Sequence, residues 1–71
     1  MNRLSPKKLL HSKWTAVKPI GKAKHFMVVE LELDESGKLT RCLLQAVVTK
    51  RTRWLPWREL KDQSDWLQGW V

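Results

Sequence analysis

The sequence predicts an α+β domain, a small four-stranded antiparallel sheet in meander order with a short helix at each end. Three observations carry this expectation. From His25 to Leu33 apolar and polar residues alternate with the period of two that marks a half-buried strand. Asp34-Glu35-Ser36-Gly37 then supplies a turn, and a second strand-like run follows it. Helix signals bracket the strands, with Ser5-Pro6 near the beginning and Asp62 and Gly69 near the end. At 71 residues, the chain 1–71 is expected to form one domain, since independent domains are seldom smaller than about 50 residues.

In chain order, Ser5 reads as an N-cap, Pro6 as the first helical residue, and Leu4 with Leu9 as a hydrophobic staple, for a helix over 6–11. Lys7 and Lys8 fall in its first turn, where the helix dipole disfavours cations by a few tenths of a kcal/mol each, roughly. Trp14-Thr15-Ala16-Val17 gives a first strand over 13–18, ended by Pro19 and Gly21. The second strand, 24–33, is expected to turn Met27, Val29, Leu31 and Leu33 inward and Glu30 and Glu32 outward.

With 34–37 as the hairpin loop, Leu33 faces Lys38, Glu30 faces Arg41, Val29 faces Cys42 and Met27 faces Leu44. This register matches charge with charge and apolar with apolar. The third strand, 38–48, then shows Cys42, Leu44, Ala46 and Val48 to the core. A fourth, 53–57, carries Trp54, Leu55 and Trp57, and Pro56 confines it to an edge. Asp62 caps a last helix through Gln68 with Gly69 at its stop, and Trp66 and Trp70, four residues apart, fall on one side of it unless Gly69 bends the chain before Trp70. Strong curling of such a sheet would make it resemble a small SH3-like barrel.

Fourteen Lys and Arg against seven Asp and Glu give a net charge of +7. The excess lies in residues 1–29, which hold Arg3, Lys7, Lys8, Lys13, Lys18, Lys22 and Lys24 and no acidic residue, whereas residues 30–71 balance. Such asymmetry points to an anionic partner. The expected function is non-enzymatic binding of RNA or single-stranded DNA through phosphates, with weak sequence preference. Lys7, Lys8, Lys13, Lys22 and Lys24 are the N-terminal candidates, and Lys50, Arg51 and Arg53 form a second cluster.

Of the five tryptophans, Trp14, Trp66 and Trp70 are expected to anchor the core, because each buried ring removes roughly 150–250 Å² from water. Trp54 faces away from Leu55 and Trp57 on an extended strand, and Arg53 and Arg58 lie near it in sequence. It is the candidate ring for stacking on unpaired bases. The alternative function is a protein–protein interaction module using an exposed patch at Trp54 and Trp57, or an unpaired sheet edge.

Cys42 is the single cysteine, so an internal disulfide and a Cys-pair zinc site are excluded and a reducing cytoplasm is expected. The first residues lack the apolar run of a signal peptide, and no stretch approaches the roughly 20 apolar residues of a membrane helix. His11, His25 and Cys42 match no zinc spacing, and the three glycines form no phosphate-binding loop. No strained nucleophile context occurs. The expectation is therefore no metal, no cofactor and no catalysis.

Several blocks together carry a family resemblance: Ser5-Pro6-Lys7-Lys8-Leu9-Leu10, Ser12-Lys13-Trp14-Thr15-Ala16-Val17, Lys24-His25-Phe26, Gln45-Ala46-Val47, Thr49-Lys50-Arg51, Trp57-Arg58-Glu59-Leu60-Lys61-Asp62 and Trp66-Leu67-Gln68-Gly69-Trp70. Spanning nearly the whole chain, they resemble the small tryptophan-rich conserved hypothetical proteins of bacteria. The resemblance implies a bacterial cytoplasmic protein of full natural length and brings no catalytic residue with it. Trp54 lies outside the shared pattern.

Overall fold

The computed structural model describes residues 2–21 and 23–71. Ser5 takes an extended conformation before Pro6, as an N-cap should, although its hydroxyl makes no capping bond. The helix, α1 (Pro6–Leu9), is a single turn and ends sooner than expected. His11 enters the left-handed region at φ 68° and turns the chain into the first strand.

Among the described residues, five antiparallel strands follow where four were expected. They are β1 (Lys13–Ile20), β2 (Ala23–Leu33), β3 (Leu39–Ala46), β4 (Thr52–Pro56) and β5 (Trp66–Gln68), in the order β4-β3-β2-β1-β5. The third strand stops before Val48, which is 85% exposed in the following turn rather than in the core. Trp57 opens a 3₁₀ helix, Trp57–Lys61, instead of closing β4.

The expected C-terminal helix is replaced by β5. One turn forms, with Asp65 N and Trp66 N both donating to Asp62 O, and the chain then extends along β1, pairing Ala16 with Trp66 and Trp14 with Gln68. The open edge of β1 needs backbone partners, and a helix would have left them unpaired. Trp66 thereby enters the core edge-on to Phe26, with ring centroids 5.5 Å apart. Trp70 does not share its side. It lies beyond Gly69 (φ 81°) and is 40% exposed.

The hairpin register also differs from the expected one. Leu33 faces Leu39, Glu32 faces Arg41, Leu31 faces Cys42 and Val28 faces Leu44, with irregularities between Val28 and Glu30 and between Glu32 and Leu33. The slip turns Phe26 and Val28 into the core, so the larger ring of Phe26, rather than Met27, gains burial. Val29 is the extra residue of a bulge, after which Leu31 again packs toward the core. Both matches survive: Arg41 pairs with Glu32 through two bonds of 2.7 Å, and apolar residues still meet Cys42 and Leu44.

The core lies on one face of this single sheet. Trp14 and Ala16, Phe26 and Val28, Cys42, Leu44 and Ala46, Leu55 and Trp66 supply it strand by strand, and Leu9 and Leu60 close it from the two helical turns. A one-layer sheet can bury a face only by curling over it. Ala16 and Trp66 on one side and Arg53 and Leu55 on the other accordingly line one cleft of about 180 Å³. The edges β4 and β5 share no ladder, so the sheet stays open.

Both termini are tied down. Asn2 Nδ2 donates to Leu60 O and Trp66 O, each at 2.7 Å, and Gln68 Nε2 donates to Arg3 O at 2.6 Å, which lays the N-terminal segment beside β5. At the other end Trp70 Nε1 donates to Phe26 O at 2.9 Å. Thr15, 1% exposed, donates through Oγ1 to Gly69 O and accepts from Val71 N.

Candidate nucleic-acid interface

Among the described residues, two clefts gather basic side chains with no acidic one. The first, about 400 Å³, lies between α1, β1 and β5 and is lined by Arg3, Lys8 and Lys13 together with Ser5, Ser12, Trp14 and Gln68. Its walls follow from local structure. Leu4 and Leu9 pack toward the core from either side of the Ser5-Pro6 helix start, which turns Lys8 outward. Ser12 Oγ donates to Leu9 O and accepts from Trp14 Nε1 at 2.8 Å, fixing the chain between α1 and β1. No acidic side chain lines this cleft, and among the described residues the single ion pair is Glu32–Arg41, elsewhere on the sheet.

The second cleft, about 210 Å³, lies between the β1–β2 and β3–β4 turns and includes Arg51 and Arg53. It too has no acidic lining residue among those described. The acidic groups lie at the β2–β3 hairpin and around the 3₁₀ turn, where Glu59 and Asp65 line the 180 Å³ cleft that Arg53 also borders. Three of the hairpin's charged groups are perturbed by their partners. Glu32 is held below the usual carboxylate range, chiefly by the Arg41 hydrogen bond, and that pairing raises Arg41 in turn. Asp34 is lowered, first by the Ser36 hydroxyl and then by the backbone N–H of Lys38.

The sequence candidates therefore divide. Lys8 and Lys13 share one cleft and Arg51 and Arg53 the other, whereas Lys7, Lys24 and Lys50 are exposed outside both. Lys22 falls outside the described residues. Lys13 Nζ also lies 4.8 Å from the centre of the Trp70 ring, a cation–π contact. Arg3 also lines the first cleft, although the sequence reading did not include it among the candidates. The signal lay in its position beside Leu4, since a staple that pulls Leu4 inward brings its neighbour to the mouth of the same cleft.

Trp54 does face away from Leu55 and is 39% exposed. Its companion cation is Arg41, 5.0 Å from the ring centre, while Arg58 lies over Trp57 instead. Arg41 comes from the neighbouring strand, a relation that sequence proximity does not reveal. Trp54 lines neither basic cleft. Cys42 is buried and its thiol is pushed up to about 11 by burial, with the negative charge of Glu59 adding to the shift. Among the described residues no three His, Cys, Asp or Glu side chains cluster as metal ligands, and no helix is long and apolar enough to cross a membrane.

A family model described as a tryptophan-rich protein (DUF2389) matches residues 12–71. Neither the curated proteins nor the solved structures contain a match.

Proposed function

The chain belongs to the tryptophan-rich protein family DUF2389, and we propose that it is a non-enzymatic protein binding RNA or single-stranded DNA through phosphates. The observation that carries this reading is the convergence of Arg3, Lys8 and Lys13 on one cleft without an acidic residue. No acidic side chain in that cleft offsets their charge, so an anion is favoured there. Lysine ammoniums act as point charges and do not read bases, which accounts for weak sequence preference.

The test is fluorescence anisotropy with labelled oligonucleotides at several salt concentrations. The logarithm of affinity should fall with that of salt by about 0.7 per neutralised phosphate on a single strand. Lys8→Ala with Lys13→Ala should weaken all sequences alike and flatten the slope by about 1.4 on the same basis. Dissociation constants weaker than about 100 μM even at low salt, below ordinary non-specific association, would remove the proposal.

A second reading, association with another protein, rests on Trp54. The ring is 39% exposed on the sheet face opposite the core, on a strand whose outer edge has no partner strand among those described. Capture of partners that survives nuclease treatment favours this reading over the first. For the fold itself, we read the curl as an SH3-like barrel left open at the β4–β5 seam. The five-strand order and the 3₁₀ turn leading toward β5 support that reading. A lone thiol with no second cysteine supports a reducing cytoplasm.

A further inference from the structure

The smaller basic cleft has a construction that phosphate binding alone does not require. Gly21 at φ 61° reverses β1 into β2, and Lys50 at φ 65° helps reverse β3 into β4, where Ala46 N donates to Arg51 O at 2.8 Å. These reversals bring the two strand ends together. Ala46 stands opposite Phe26 across the β2–β3 ladder. Small side chains at Ala23 and Ala46 leave about 210 Å³ bounded by Phe26, with Arg51, Arg53 and the threonines around the opening.

That volume falls below the roughly 300–1,000 Å³ of a site for a drug-sized molecule. The apolar floor offers nothing to a bare anion, whereas planar guanidiniums both stack on a base and fork a phosphate. Thr49 Oγ1 accepts from Arg51 N at 3.3 Å, which leaves its hydroxyl proton for a ligand acceptor. We propose that the cleft bounded by Ala23, Phe26 and Ala46 takes one unpaired nucleobase, with Arg51 and Arg53 holding the adjoining phosphate. This deepens the nucleic-acid reading and rests on it. It moves the base contact from Trp54, on the far face of the sheet, to the turn end of the curled sheet. A base stacked inside a duplex cannot enter, so the pocket selects single strands.

The experiment compares a labelled oligothymidylate with a strand of equal length whose residues are all abasic, using the full chain and anisotropy at constant low salt. The two probes carry the same phosphates, so their affinity ratio isolates the base. The intact strand should bind about fivefold tighter or more, the lower end for a base held by a protein. Ala23→Leu fills the pocket and should bring the intact strand to the abasic affinity without changing the salt slope. Ala23→Val, a smaller filling that suits a strand, should shrink the same ratio part of the way, and it decides the matter if Ala23→Leu fails to fold by circular dichroism. Equal binding of the two strands by the unaltered protein, or a ratio that survives the folded variants, overturns the pocket while leaving phosphate binding intact. Absence of binding to either strand overturns both.

Discussion

Thr15 joins the sheet to the C-terminal tail, its buried hydroxyl donating to Gly69 O at 2.7 Å and accepting from Val71 N at 3.0 Å. Thr15→Val keeps the shape and removes both bonds, leaving the tail's carbonyl and N–H to find water. The expected loss is about 1–3 kcal/mol in a urea melt. Because the tail carries Trp70, the variant should also change tryptophan emission before global unfolding. Cys42 reports on the core in another way. Its folded thiol is raised to about 11, above the roughly 8.5 of an unfolded cysteine. The resulting stability is fully present below the unfolded value and is lost as pH rises toward the folded one. Stability should therefore decline from about pH 8.5 upward, and Cys42→Ser should reduce that decline. At pH 8 the native thiol should resist iodoacetamide until denaturant opens the core.

The β2–β3 hairpin separates what local chemistry decides from what pairing decides. Gly37, at φ 85°, takes the positive φ that the turn sequence suggested, and Asp34 Oδ1 accepts from Ser36 N, Ser36 Oγ and Lys38 N. The last of these bonds extends the loop past Gly37, so Leu33 faces Leu39. These bonds lower Asp34, as Arg41 lowers Glu32. A depressed carboxyl contributes stability above its unfolded value, about 4, and loses it as pH falls through the folded one. Asp34→Asn should flatten the acid limb of a Tm-against-pH curve between about pH 2 and 5. An unchanged limb would show that the turn bonds do not persist in solution. Strand identity was legible here from the alternation, but the register was not, because one inserted residue at Val29 reverses which residues face inward.

Over the whole molecule, charge and burial are sorted onto different surfaces. Neither basic cleft has an acidic lining residue among those described, while Arg53, at the border of the second, also faces the 180 Å³ cleft that holds Glu59 and Asp65. Long-range repulsion among the remaining cations falls with salt, since the screening length is about 8 Å at physiological ionic strength. Salt therefore acts on the two states in opposite senses, easing self-repulsion in the free protein while weakening its hold on phosphates. The N-terminal excess was visible by counting. Its division between a cleft with Arg3, Lys8 and Lys13 and exposed sites for Lys7 and Lys24 depends on the turn at His11 and the pairing of β1 with β5.

The sequence by itself determined the antiparallel sheet, the positive φ of Gly37 in the hairpin turn, the membership of Cys42, Leu44 and Ala46 in one inner face, and the opposite orientations of Trp54 and Leu55. Each rests on periodicity or on a residue's own backbone preference, which act over a few positions. Tertiary structure alone decided the fifth strand, the hairpin register and the fate of Trp70. Asp62 to Gln68 carries helix signals, yet after one turn Trp66–Gln68 extends because the open edge of β1 offers backbone partners that a lone short helix cannot match. The same pairing carries Trp70 past Gly69 onto the outer face, beside Lys13 and His25. The fifth strand and the seat of Trp70 depend on partners more than 40 residues away in the chain, and no local pattern encodes them.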